Sequence, residues 1–381
     1  MSEISRRHHT IPKFLLRWFA LDAASDSAQI WCLDKTSGRH FTSSVRNLTV
    51  IGDFNRLQTV PDDVPADAAE RDLARIEGEC KPALAKAIDR ADLTSEDLAL
   101  IVLFSTFQER RTPRSRQWRT ELMEHALRIA KEVEVSTPEF VDFFKKELGQ
   151  KYSEAEVEAM HDELVEQFRE GKVVAQATPD QEVLSMFMAT PEIAMELASR
   201  LSLGVLHATG GEFVLADHPV CIYDPLAPAD RGAGWISSLS SQVTFPISRT
   251  TCLLFRPGRP RFAHFDVGHE VVANINLHSY ANAEWAIYGS SQRWLQDTRT
   301  AARRQKSAVS KYEPKKPRLV VYQGNEGEDL PHAVEVFEPK EKVVRGFRPK
   351  GRPIRTPDPP QPMSERLMKE WSRLVPDDSQ K

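Results

Sequence analysis

Two adjacent histidines near the start of the chain are the first residues whose types could do chemistry. His8 and His9 come just before Pro12 and an aromatic-aliphatic segment, residues 14–19. Proline suits the first turn of a helix, so we expect both imidazoles in the extended residues that lead into that helix. The free amides of a helix N-terminus favour anions, and an imidazole beside them could act as an acid or a base. The pair is therefore a candidate catalytic site, although it specifies no reaction.

A second candidate lies where a nearly all-apolar helix ends, within residues 104–114. Gln108 and Arg111 are three residues apart and therefore share a face of that helix. A guanidinium fork beside a neutral amide could hold a phosphate or a carboxylate. The alternative is that the basic residues here complement the C-terminus of the helix and pair with nearby acids.

A third candidate is Asp217, which follows a hydrophobic run and precedes His218 and Pro219. A sheet fixes a carboxylate at a strand end while leaving it at the surface, where it can take part in catalysis or bind a metal. Asp217 and an N-terminal histidine could form part of a metal site or an acid–base pair. The alternative is an Asx-type turn, in which Asp217 accepts hydrogen bonds from local backbone amides.

The composition is that of an ordinary globular protein, and it excludes several classes. The 381 residues, 40% hydrophobic and 28% charged, are enough for one large domain or two closely joined ones. A formal net charge of −4 argues against a protein that coats nucleic acid non-specifically, although it allows a local basic surface. No run approaches the roughly 20 apolar residues that cross a bilayer, so we expect no membrane insertion.

The four cysteines are far apart, without a CxxC pair, and no signal-peptide pattern opens the chain. We therefore expect reduced cysteines, a cytoplasmic protein and no structural zinc site. The chain also lacks the GxSxG, HExxH, GxxxxGK(S/T) and strand-linked GxGxxG motifs. No established catalytic signature identifies the reaction, and the sequence leaves any cofactor unknown.

Short strands near the start of the chain must position the first candidates. Residues 29–34 and 40–42 flank a polar connection and are predicted to form a hairpin. Residues 47–57 are predicted to be extended, which places Asp53 near the end of a strand.

A long helical part, residues 67–202, separates these strands from the rest of the β structure. Thr94 and Asp97 have the spacing of a helix cap, and the helix that follows is so apolar that we expect it at the centre of a bundle. The pattern then predicts strands at residues 204–207, 212–215, 242–245, 251–255 and 286–288, and a helix at 271–285.

These elements predict an α+β fold, in which a central helical bundle packs on a mixed or antiparallel sheet built from N- and C-terminal strands. We assign residues 1–305 to this domain. Residues 306–362 are predicted to be a basic, Pro-rich and partly disordered tail, and residues 363–375 a short amphipathic helix. That helix would dock on its own domain or on a protein partner.

Taken in order along the chain, the candidate motifs resemble the bacterial family catalogued as domain of unknown function 4238. The resemblance runs from about residue 7 to residue 289 and includes His8-His9-x-x-Pro12, Gln108-x-x-Arg111-Thr112-Pro113 and Asp217-x-Pro219. It implies a shared fold and these matched polar positions: His8, His9, Asp53, Gln108, Arg111, Asp217 and Asn276. Through it, Asp53 and Asn276 become candidate ligand-binding residues. The family pattern fixes no residue between the Asp and the Pro, which argues against a role for His218, and the family name implies no reaction.

Two classes of function fit these residues. The first hypothesis is an RNase-like enzyme that cleaves phosphodiesters, with His8 or His9 as general base, Arg111 stabilising phosphate charge and Asp217 orienting the histidine or binding a metal. The alternative is a non-enzymatic sensor or interaction module, in which the same residues bind RNA or another phosphate-bearing ligand and the tail binds a protein. A third possibility is that these side chains only fix the N-terminal segment to the fold.

Overall fold

The fold combines three sheets with a long group of helices, as a computed structural model of the chain shows. It describes residues 6–306, except residues 26, 60–63, 170–175, 189, 225–233 and 237–238. The predicted tail and the predicted helix at 363–375 lie outside the described residues. Within the described residues, the predicted α+β class is confirmed.

The strands and helices follow the chain in a β–α–β order. The strands are β1 (Arg7–His9), β2 (Gln29–Asp34), β3 (His40–Ser44), β4 (Val50–Gly52), β5 (Leu201–Ala208), β6 (Leu215–Ala216), β7 (Cys221–Tyr223), β8 (Gln242–Pro246), β9 (Thr251–Pro257), β10 (Arg261–Val267) and β11 (Ala286–Gly289). The helices are α1 (Lys13–Arg17), α2 (Ala68–Ile88), α3 (Ser95–Arg110), α4 (Pro113–Val135), α5 (Pro138–Leu148), α6 (Glu154–Arg169), α7 (Pro179–Leu184), α8 (Thr190–Arg200), α9 (His269–Asn282) and α10 (Gln292–Lys306). None of the described helices is long and apolar enough to span a membrane.

One sheet joins the two ends of the described chain. Its strand order is β3-β2-β11-β6, with every neighbouring pair antiparallel. The predicted hairpin supplies β2 and β3, and Tyr288 of β11 pairs with Cys32 of β2. This confirms that strands from both sides of the helical part share a sheet.

A second sheet consists only of strands from the C-terminal side of the helical part. Its order is β10-β5-β9-β8-β7, mixed because β10 and β5 run parallel, and every strand follows the helical part. Alternating apolar residues identify a strand but not its neighbour, because pairing depends on contacts between distant segments.

The extended segment predicted at residues 47–57 is shorter than expected. Only β4 is a strand, and it pairs with β1 in a separate two-stranded sheet. Thr49 and Asp53 have φ angles of 55° and 53°, in the left-handed region, which interrupts an extended chain at both ends of β4. Asp53 therefore lies in a turn that closes against β1, since its backbone amide donates to the carbonyl of Arg6 at 2.9 Å.

Helix α3 lies at the centre of the helical part, as its sequence predicts. Thr94 and Asp97 form the predicted capping box at its start, and the helix buries residues on all sides. It packs between α2 and α8. The ring of Phe104 stacks on Phe245 of β8 with centroids 5.9 Å apart, so α3 also joins the helices to the five-stranded sheet.

Candidate functional site

The end of α3 holds the N-terminal segment in place through two of the candidate residues. Gln108 Nε2 donates a hydrogen bond to the carbonyl of Thr10 at 3.0 Å, and Arg111 donates to the carbonyl of His9. Both side chains are buried. Because a buried carbonyl needs a donor, these two bonds fix the course of the chain from β1 into α1.

Arg111 also forms an ion pair with Glu77 of α2. Its Nη1 lies 2.5 Å from Glu77 Oε1, and only 3% of the arginine side chain is exposed. The guanidinium therefore bridges three segments, which are β1, α2 and α3. Because one of its nitrogens bonds Glu77 and another bonds the carbonyl of His9, the guanidinium of Arg111 holds β1 against α2 and does not face a ligand.

The side chain of His8 lies on the face of β1 opposite to that of His9. It is fully buried, and its Nδ1 accepts a hydrogen bond from the backbone amide of Asn55 at 2.7 Å. The side chain of Asn55 in turn donates to Glu70 and accepts from Arg116. His8 thus anchors the turn after β4 to β1 and to α2.

The ring of His9 contains a buried nitrogen, Nε2, that has no hydrogen-bond partner among the described residues. The pKa of His9 is lowered to about 4, mainly by burial and next by the charge of Lys13, while the backbone of Arg46 opposes the shift. The imidazole is therefore neutral near pH 7, with a lone pair on one ring nitrogen.

A cavity of about 490 Å³ lies beside His9, between the N-terminal segment and α2. A volume of this size is within the range of small-molecule sites. The residues that line it are Arg7, His9, Pro12, Lys13, Phe14, Asp67, Glu70, Arg71, Ala74, Glu77, Gly78 and Lys81. Those from α2 recur every three or four residues, so one face of that helix forms a wall of the cavity.

The charges around the cavity are only partly paired. Arg71 pairs with Asp67 at 2.9 Å, and Glu77 pairs with Arg111. In contrast, three cations and one carboxylate in the lining have no ion-pair partner among the residues that the structure describes: Arg7, Lys13, Lys81 and Glu70. Two exposed ammonium groups beside a neutral imidazole favour an anion in this cavity.

Asp217 has a different environment. Its Oδ1 accepts from the amide of Glu284 at 2.8 Å, and its Oδ2 accepts from the amides of Trp285 and Ala286 at 2.6 and 2.9 Å. These amides lead into β11, so the carboxylate fixes that strand beside β6. Asp217 is not part of the cavity lining, and the amides that it bonds are 67–69 residues away in the chain, so its contacts are not those of the Asx-type turn with local amides either.

Replacing Asp217 with asparagine tests this structural role. We expect a loss of about 1.5–3 kcal/mol of unfolding free energy, because the new amide group cannot accept from all three backbone N–H groups. Urea unfolding followed by circular dichroism measures it. Asp53→Asn is the control, with an expected change within about 0.5 kcal/mol, since Asp53 pairs near the surface with Arg6 and asparagine tolerates its positive φ. An Asp217→Asn protein as stable as the wild type but inactive would instead indicate catalysis.

Asn276 and Asp53 also lie outside the cavity lining. The side chain of Asn276 accepts from the amide of Val214 and donates to the carbonyl of Glu212, both at 2.9 Å, which attaches α9 to the segment before β6. Asp53 forms an ion pair with Arg6 at 2.7 Å, near the surface. Neither residue joins His9 at the cavity.

The lining residues on α2 are the ones that the sequence patterns do not single out. Glu70, Glu77 and Lys81 belong to the polar side of a helix that buries its other side. Such a side is normally exposed to solvent, and nothing in its spacing shows that residues 7–14 cover it. The described residues contain no group of three histidine, cysteine, aspartate or glutamate side chains able to hold a metal ion.

Residues 7–293 match the family described as "Protein of unknown function (DUF4238)". The chain belongs to this family. No curated protein and no solved structure matches it. The predicted resemblance to DUF4238 is thus confirmed. Four of the matched positions lie at the N-terminal segment: His9 lines the cavity, and His8, Gln108 and Arg111 hold the segment in place through hydrogen bonds.

Proposed function

We propose that the cavity beside His9 binds a phosphate-bearing anion and that His9 acts there as a general base in phosphodiester cleavage. The observation that carries this proposal is a neutral imidazole at a cavity where cations without an ion-pair partner outnumber such carboxylates. Among the described residues, the cations are Arg7, Lys13 and Lys81, and the carboxylate is Glu70. A positioned imidazole and cationic groups are the parts that such a reaction needs.

Each group has a distinct role in this reaction. Lys13 and Lys81 hold the phosphate and offset the charge that develops on it. The imidazole of His9 takes the proton of a hydroxyl, either the 2′-OH of RNA or water, as the new P–O bond forms. The bond from phosphorus to the leaving oxygen breaks, and that oxygen takes a proton from solvent. Arg111 positions His9 through its carbonyl and does not contact the phosphate.

The second candidate is a sensor that binds the same anion without cleaving it. One observation favours it: His9 is the one imidazole that lines the cavity in the described part of the chain, so the leaving oxygen has no second histidine as its acid. Three points stay predictions from the sequence: that the ligand is RNA, that residues 306–375 bind a protein partner, and that the protein is cytoplasmic. Incubating the protein with end-labelled single-stranded RNA separates the two candidates, because only the enzyme shortens it.

The pH dependence of that cleavage is a further test. Because the pKa of His9 is about 4, we expect the rate at pH 5 to lie within about twofold of the rate at pH 7. A histidine with an ordinary pKa near 6.5 would already have lost most of its basic form at pH 5. A rate that falls tenfold between pH 7 and pH 5 would therefore contradict the role of His9.

This test needs a check of folding at each pH. Folded His9 holds fewer protons than unfolded His9 between about pH 4 and 6.5, so its contribution to stability is lost as the pH falls through that range. Circular dichroism under the assay conditions shows whether a lower rate reflects unfolding.

A further inference from the structure

Four apolar residues line the cavity together with its charged groups. Pro12 and Phe14 come from the N-terminal segment, and Ala74 and Gly78 come from α2. An anion alone would need only the charged side of such a site. The apolar side indicates that the ligand also carries an apolar group.

The ring of Phe14 is held in one orientation. It packs edge-on against Trp18, with centroids 5.0 Å apart, and at a tilt against Phe104, 5.5 Å apart. The side chain is only half-buried, and it lines the cavity. A fixed aromatic ring at a binding site is a surface on which a flat ring can stack.

Gly78 is a second residue that favours an apolar group of a ligand at the apolar side of the cavity. It lies inside α2, where glycine weakens a helix, and its backbone does not have a positive φ. A Cβ at this position would meet no atom within 4 Å, so packing does not require glycine either. Gly78 is exposed, and it lines the cavity one turn from Ala74 on the same helix face, so the absence of a side chain keeps this part of the wall open.

We propose that the cavity takes the planar ring of a nucleobase against Phe14 and beside Ala74 and Gly78, so that its ligand is a nucleotide unit. The inference rests on the proposed function, because the phosphate of that unit is the anion held by Lys13 and Lys81. The carboxylates of Glu70 and Glu77 keep lone pairs beyond their present bonds, and these accept hydrogen bonds from ribose hydroxyls or base amino groups.

Three probes test the ring and the anion separately. Adenosine carries the ring without phosphate, ribose 5-phosphate carries the phosphate without a ring, and AMP carries both. Isothermal titration of the full chain measures their binding. We expect AMP to bind at least about tenfold more tightly than ribose 5-phosphate, since stacking on an aromatic side chain strengthens the binding of a base by about that factor or more.

Two substitutions at Gly78 provide the matched comparison. Gly78→Leu places a side chain in open space, and we expect it to reduce AMP binding at least tenfold while leaving ribose 5-phosphate unchanged. Gly78→Ala adds one methyl group, favours the helix and should change AMP binding less than threefold. As a second variant, Phe14→Leu removes the aromatic face and should lower AMP binding without affecting ribose 5-phosphate.

The outcomes separate this inference from the proposed function. Equal affinity of the wild type for AMP and ribose 5-phosphate would show that no nucleobase binds against Phe14, and it would still support the anion site. Binding of adenosine together with failure of ribose 5-phosphate would support binding of the nucleobase and overturn the anion site. If none of the three probes binds, both are overturned.

Discussion

Replacing Arg111 with alanine should lower the free energy of unfolding by about 3–5 kcal/mol, the range for one partner of a buried ion pair. The substitution leaves Glu77 without its cation and the carbonyl of His9 without its donor. The buried carbonyl then lacks compensation, and the carboxylate of Glu77, which is 22% exposed, is compensated only in part by solvent. We expect the N-terminal segment to detach from α2 and α3, which urea unfolding and amide hydrogen exchange of residues 7–12 would measure.

Arg200→Ala is the matched control for this prediction. Arg200 also pairs with a glutamate, at 2.6 Å from Glu196, but both side chains are more than half exposed. Exposed pairs contribute little because solvent screens them, so we expect a change within about 1 kcal/mol. Equal effects of the two substitutions would show that Arg111 does not hold the fold together.

The His9→Gln protein should cleave single-stranded RNA about 10²–10⁴-fold more slowly than the wild type, the range for loss of a general base. Glutamine is polar and has a similar size, but its amide cannot take up a proton. The rate constant at saturating RNA, with folding checked by circular dichroism, measures the effect. The anion site should survive, because Lys13 and Lys81 are unchanged.

A histidine away from the site controls for general effects of the substitution. His269 lies exposed at the start of α9, and we expect His269→Gln to leave the rate within twofold. A His9→Gln protein that cleaves RNA at the wild-type rate would overturn the role of His9 as the base. If the wild type binds RNA but does not cleave it, the sensor is the function.

The site also changes how the matched positions of the family are understood. The sequence marked five residues as candidates for catalysis: His8, His9, Gln108, Arg111 and Asp217. Among these residues, only His9 lines the cavity. Gln108 and Arg111 hold the backbone around it, and Asp217 holds β11 through three amides. A shared polar position can thus serve either the chemistry or the scaffold, and the two are distinguished by what each side chain contacts.

The sequence by itself determined the features that depend on neighbouring residues. The cap of α3 at Thr94, the entry to α1 after Pro12 and the hairpin of β2 and β3 all follow from local residue types. Order along the chain was also enough to identify the family, because its motifs extend over most of the described length.

Only the tertiary structure decided which strands share a sheet and which polar groups meet. The cavity joins residues 7–14 to a helix face about 60 positions later, and no local pattern specifies that contact. The low pKa of His9 has the same origin, since it arises from burial and from charges that folding brings near. Caps and turns form from short-range geometry, whereas a binding site depends on long-range packing, and that is why the fold class was readable from the sequence and the site was not.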